Sequence, residues 1–94
     1  FIDLTSAGAQ RVFGMAGKGR LAEGYDADIT VVDLKAKHVL SHADMASRCG
    51  WTPFDGMEAT GKAMATVVRG RIVMRDGELQ GSAHGRPVRF VETL

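Results

Sequence analysis

"FGMAGKGRLAEGYDADITVVDL", residues 13–34, decides how this chain is read. Its first half is broken by Gly14, Gly17, Gly19 and Gly24, residues that favour turns over regular structure. Its second half, Ala27 to Leu34, is rich in β-branched residues and predicts a strand. Two acids, Asp26 and Asp28, stand at the mouth of that strand. Placed two apart on a strand, they share one face. Such a pair can ligate a hard cation such as Ca²⁺ or Mg²⁺. No calcium-loop pattern follows, and Asp33 is too far along the strand to join. The preferred reading gives Asp26 to the turn and lets Asp28 accept backbone N–H groups.

Working outward, Thr5 and Ser6 offer a helix start, and Ala9, Val12 and Phe13 recur at helical spacing. A short helix over residues 5–14 is expected, stopped by Gly14 and Gly17. Its apolar face has little of this chain to pack on. A short strand is expected over Gly19–Glu23 and a turn at Gly24–Asp26. Lys35–Lys37 reads as a polar break and His38–Leu40 as a short strand. Ser41 then caps a turn of helix across His42–Arg48. "CGWTPFDGMEATG", residues 49–61, has no period and reads as an ordered loop. Ala63–Met74 is a second strong strand signal, turning at Arg69-Gly70, and Asp76-Gly77 marks another tight turn before Glu78-Leu79. The tail from Gly81 is extended and expected to wrap a neighbouring surface. The fold class is therefore mainly β, four to six short strands after one helix, a partial sandwich or half-barrel.

The chain has 94 residues, 45% hydrophobic and 24% charged, with a formal net charge of +1. That is one domain at most, with a thin core. The charge leaves no electrostatic footprint for nucleic acid or an acidic membrane. No apolar run approaches the roughly 20 residues that span a bilayer. The single cysteine, Cys49, excludes an internal disulfide and fits a reducing cytosol. The chain opens on Phe1, and "FIDLTSAGAQRVFGM" reads as the middle of something, so a fragment is expected.

Chemistry-bearing residues are few. His38, His42, Asp44 and Cys49 can be drawn as a zinc site, but their spacing fits no finger or ribbon pattern and surface histidines are preferred. His84, in a glycine-flanked tail, is expected to be exposed. Ser6, Ser41, Ser47, Ser82 and Cys49 lack a recognisable nucleophile frame or base. Cys49 is read as a small buried hydrophobe. Gly17-Lys18-Gly19 lacks the frame of a phosphate loop. Trp51, Phe54 and Met57 either form a binding surface or pin their loop to a core, the second being preferred. From residues alone the chain reads as a non-catalytic β module.

The order of segments adds to this. "LTSAGAQRVFGMAGKGRLAEGYDADITVVDL", "GWTPFDGMEATG" and "ATVVRGRIVMRDGEL" together resemble the C-terminal part of a dihydroorotase, one of the cyclic amidohydrolases, with the hydantoinases and allantoinases. "GRPVRFVETL" resembles dihydroorotase more than hydantoinase. The resemblance implies that residues 1–17 are the last helix and exit of a (β/α)₈ barrel. Residues 18–94 would be the larger part of a small β-sandwich, with 49–61 its ordered loop. It implies a zinc-dependent, cytoplasmic enzyme of pyrimidine biosynthesis that interconverts carbamoyl-aspartate and dihydroorotate. The partners it implies are the rest of its own barrel, further copies in a homo-oligomer, and aspartate carbamoyltransferase. The family's H-x-H pair, carboxylated lysine, further histidines and catalytic aspartate all belong upstream of Phe1. No catalytic, cofactor-binding or metal residue is therefore assigned in this chain, and none of the zinc is expected on it.

Overall fold

The computed structural model describes residues 1–91. Two short helices lead, α1 over Ile2–Thr5 and α2 over Ala7–Phe13. The expected single helix is thus split at Ser6, whose φ of −135° and ψ of −92° interrupt the spiral. Ser6 stands at the cap position, but its hydroxyl donates instead to the Gly19 carbonyl at 3.1 Å. Gly14 ends α2 in the left-handed region, as a C-terminal glycine does. Val12 and Phe13 remain largely exposed.

The Gly19–Glu23 segment is not a strand. Gly19 is held at φ 83°, where a Cβ would sit 2.8 Å from Gln10 Cβ and 3.0 Å from the Ser6 carbonyl oxygen. The close approach that Ser6 makes leaves room only for a hydrogen. The chain turns again at Gly24, closed by the Tyr25 N–H donating to the Ala22 carbonyl at 3.1 Å.

Four antiparallel strands follow in one sheet of order β1-β2-β3-β4: Ile29–Val39, Glu58–Val68, Arg71–Arg75 and Glu78–Leu79. Strand β1 starts two residues later than expected and runs straight through the expected polar break at Lys35–Lys37. The break survives as a bulge. The register shifts between Asp33, opposite Lys62, and Lys37, opposite Thr60. Asp33 explains it: its Oδ1 accepts from the Lys35 N–H at 2.8 Å and the Ala36 N–H at 3.2 Å, taking those donors out of the ladder.

Strand β2 begins at Glu58, so the last four positions of the expected 49–61 loop are sheet. Helical structure after Ser41 is confined to a 3₁₀ turn, His42–Asp44, and does not reach Arg48. The Ser41 hydroxyl caps it, accepting from the Ala43 N–H at 3.2 Å. Both hairpin turns stand where the sequence put them. Arg69 (φ 48°) with Gly70 (φ 80°), and Asp76 (φ 52°) with Gly77 (φ 84°), carry the paired positive φ values that suit two-residue hairpins.

Up to Val91 the tail packs back onto residues 14–16 of its own chain. The Ala16 N–H donates to the Arg89 carbonyl at 2.8 Å, and Met15 bridges Phe90. The mainly β class holds, but among the described residues one layer is present and no hydrophobic side chain is fully buried. Such a single layer leaves apolar side chains such as Val31, Val32 and Leu34 exposed.

Candidate functional site

The richest polar constellation lies at the mouth of β1, built from the stretch that opened the sequence reading. Lys18 reaches Asp26 Oδ2 at 3.0 Å and also pairs with Asp28 Oδ2. Its side chain is only 19% exposed, so both contacts are partly shielded from water. Asp28 Oδ1 accepts from the Arg69 backbone N–H at 2.8 Å. The Arg69 guanidinium reaches Asp26 Oδ2 at 3.5 Å. The Gly70 N–H donates to the Ala27 carbonyl at 3.0 Å, and the Asp26 N–H to the Gly17 carbonyl at 2.8 Å. The two acids therefore tie three segments together: the Gly17-Lys18-Gly19 turn, the mouth of β1 and the β2–β3 turn.

The titration of these groups follows from the geometry. The Lys18 ammonium, then the Arg69 N–H, hold the Asp28 carboxyl below its usual range. Hydrogen bonds to Asp28, then Asp26, hold the Lys18 ammonium above its usual range. The cation reading of Asp26 and Asp28 meets a lysine already seated between them. The preferred structural reading of Asp28, as an acceptor of backbone N–H, is what the structure displays.

The second group drawn from the sequence is not assembled. His38 lies on β1, and its Nδ1 is buried without a hydrogen-bond partner. His42 is engaged elsewhere: its Nδ1 accepts from the Thr52 N–H at 3.0 Å, and its Nε2 lies 3.6 Å from Asp55 Oδ2. Asp55 Oδ1 also accepts from the His42 N–H at 2.8 Å. Thr52, only 8% exposed, sits under this clasp, its hydroxyl accepting from the Phe54 N–H at 3.2 Å. Among the described residues no three His, Cys, Asp or Glu side chains converge as a metal site would need, so these residues do not fit zinc.

Cys49 is exposed, not buried as expected. Its sulfur lies 3.3 Å from the Ser47 hydroxyl, and this contact, then the Trp51 N–H, holds the thiol below its usual range. Nothing among its hydrogen-bond partners is a base. His84 is half-buried rather than exposed, its Nε2 lying 2.7 Å from the Val68 carbonyl oxygen. Trp51, Phe54 and Met57 are 57%, 53% and 55% exposed, so they do not pin their loop to a core within this chain. They present an apolar surface instead.

Sequence reasoning missed Asp55, the partner of His42, and the meeting of Arg69 with Arg86 and Arg89 around one cleft. Arg86 and Arg89 lie close on the tail, but only folding brings Arg69, seventeen positions away, to them. The one local signal was an arginine before glycine in a hairpin turn, where asparagine or aspartate is usual. Among the described residues, no helix is long and apolar enough to cross a membrane.

The comparisons agree with this architecture. The model of the amidohydrolase family matches residues 1–73. The dihydroorotase of Methanothermobacter thermautotrophicus is 49% identical over 78 residues, which is 82% of this chain and 18% of that enzyme. The allantoinase of Rubrobacter xylanophilus is 40% identical over 87 residues, 93% of this chain and 19% of its own length. The L-hydantoinase (dihydropyrimidinase) structure from Arthrobacter aurescens superposes with a TM-score of 0.80 at 32% identity, over 85% of this chain and 18% of that one. The chain thus spans less than a fifth of the length of these relatives. With a family match over more than half its residues and a sheet that superposes on a member's, the chain belongs to the amidohydrolase family.

Proposed function

We propose that these residues are the C-terminal part of a dihydroorotase, the cyclic amidohydrolase that interconverts N-carbamoyl-L-aspartate and L-dihydroorotate in pyrimidine biosynthesis. The observation that carries this reading is the 49% identity to the Methanothermobacter dihydroorotase over 82% of the chain. In it, the segment braces the barrel of the whole enzyme and contributes neither a catalytic nor a metal-binding residue. The exposed sheet face and the exposed Trp51, Phe54 and Met57 support a bracing role, because they are surfaces made to be covered. Zinc, in this reading, is held by the rest of the protein, which is cytoplasmic and homo-oligomeric.

A hydantoinase or allantoinase is the second reading. It is favoured by the Rubrobacter allantoinase at 40% identity and by the hydantoinase structures. A dihydroorotase-like subunit without catalysis, docked on aspartate carbamoyltransferase, is a further form of the first; an upstream H-x-H in the gene decides against it. The test is a substrate panel on the full-length protein: dihydroorotate, hydantoin and allantoin. Turnover of dihydroorotate alone is expected, with zinc in the purified protein and no turnover by the 94-residue chain. Preference for hydantoin or allantoin moves the assignment to the second reading. Turnover by the isolated chain overturns the bracing role.

A further inference from the structure

An arginine of the β2–β3 turn meets two arginines of the tail at one cleft. Arg69 lies in the β2–β3 turn, and Arg86 and Arg89 lie on the returning tail. Together with Asp26 and Pro87 they line a cleft of about 350 Å³, a size that admits a small ligand. We propose that this cleft binds a small oxyanion, a ligand carrying a phosphate or carboxylate group. The inference does not depend on which cyclic amide the protein hydrolyses.

The tail that carries two of the arginines is fastened on both sides of them. Ahead of Arg86, His84 Nε2 lies 2.7 Å from the Val68 carbonyl oxygen. Behind it, the Arg89 carbonyl accepts from the Ala16 N–H at 2.8 Å, and the Val91 N–H donates to the Gly14 carbonyl at 2.6 Å. Arg86 and Arg89 are therefore carried on a pinned segment that lines the cleft with the turn. Such preorganisation lowers the ordering cost of binding.

The third arginine occupies its position against local preference. Arg69 is a non-glycine residue at φ 48°, in the left-handed region that favours glycine. The Asp28 carboxylate offsets this by accepting its N–H. Asparagine or glycine would turn the chain there more readily.

The charge balance then sets the ligand class. The lining residues carry three positive side chains and one negative one. That carboxylate, Asp26, is already paired with Lys18 at 3.0 Å and reaches one nitrogen of Arg69 at 3.5 Å. It is the one repulsive group an anion would meet. Among the described residues neither Arg86 nor Arg89 forms an ion pair. Guanidinium forks match the paired oxygens of phosphates and carboxylates.

The experiment is a thermal-unfolding titration of the full-length protein with inorganic phosphate and, in parallel, succinate, against chloride at equal ionic strength. At about 20 mM ligand we expect Tm to rise by about 1–2 °C over the chloride control. Arg86→Gln with Arg89→Gln should abolish the rise, and Arg71→Gln, outside the cleft lining, should keep it. A response to phosphate only, or to succinate only, supports the site and states which group it takes. Should the double variant fail to fold, Arg86→Lys keeps the charge without the fork, and calorimetry should show binding about tenfold weaker. No response in the wild-type protein overturns the proposal. So does an equal response in the double variant, or unchanged affinity in Arg86→Lys. A double variant that loses stability while the wild type ignores both anions means the cleft is filled by a carboxylate of the protein itself, which also overturns it.

Discussion

The two ends of the β1–β2 pair are closed by different physics. At the mouth of β1 a lysine, two aspartates and a turn arginine interlock, and every carboxylate there has a partner within this chain. At the far end the connection is closed by backbone. The Leu40 N–H donates to the Met57 carbonyl at 2.9 Å, and the Gly56 N–H to the Leu40 carbonyl at 2.8 Å. The His42–Asp55 clasp finishes it. The loop so held turns Trp51, Phe54 and Met57 outward. The carboxylates of the charged end are paired within the chain, whereas the loop end leaves its large apolar side chains exposed. Polar groups can be satisfied locally by a few bonds, but apolar area gains only when something covers it.

The largest expected effect tests that difference directly. On the bracing reading, Trp51→Ala should cost about 3 kcal/mol in the full-length protein, read by urea unfolding. A cost under about 0.5 kcal/mol, the usual range of a surface change, would place Trp51 in solvent and break the comparison. The isolated 94-residue chain, with its apolar faces bare, should self-associate or bind a hydrophobic dye. A monodisperse, cooperatively unfolding monomer would count against the same idea.

Next comes the scaffold of the charged end. Gly19→Ala places a methyl 3.0 Å from the Ser6 carbonyl oxygen in left-handed backbone, and should cost about 2 kcal/mol while displacing Lys18. A neutral result would mean that the turn relaxes freely. Asp28→Ala removes the acceptor for the Arg69 N–H and half of the Lys18 pairing, with about 1–2 kcal/mol expected. A loss no greater than that of Asp55→Ala at the loop end would show that the interlock adds nothing over a single clasp.

The pH dependence has a definite sign at each extreme. Asp28 is held below its usual value in the fold, so its contribution is full above the ordinary carboxylate value, about 3.9. It is lost as pH falls through the lower folded value. Lys18 is held above its usual value, so its share is full below about 10.4 and is lost as pH rises through the higher folded value. The groups are partly exposed, so screening by salt reduces both effects. The Arg69 amide resonance should follow Asp28, with an acid midpoint below the ordinary carboxylate value. A midpoint at or above that value removes the interlock. The smallest effect belongs to Lys37→Ala. Its 3.7 Å pair with Glu58 at the loop end is well exposed, and a change under about 0.5 kcal/mol is expected by the same unfolding measurement.

How much was legible follows from the range of each interaction. The two hairpin turns rest on the conformation of single residues, and Arg69-Gly70 and Asp76-Gly77 were read correctly. Asp28 accepting a backbone N–H was also legible in kind, because short acids at strand mouths do this, although the donor lies 41 residues away. The polar break at Lys35–Lys37 was real but misassigned. Polarity marked the place, and only pairing with β2 turned it into a bulge inside one strand. Gly19 was misread as strand because its contact, Ser6, lies 13 residues upstream. Cys49 and His84 were assigned the wrong exposure for the same reason, since burial depends on distant segments.

By itself, then, the sequence determined the local conformations: the glycine at the end of α2, the β-branched runs, the tight turns, and the segment order that marks an amidohydrolase. These depend on backbone sterics and near neighbours, which act at any stage of folding. The tertiary structure decided what stands beside what. It placed Lys18 between Asp26 and Asp28, paired His42 with Asp55, and gathered Arg69, Arg86 and Arg89 around one cleft. Those contacts join residues from three to twenty positions apart. No local preference encodes them, because they exist only once the sheet and the returning tail have closed the loops between them.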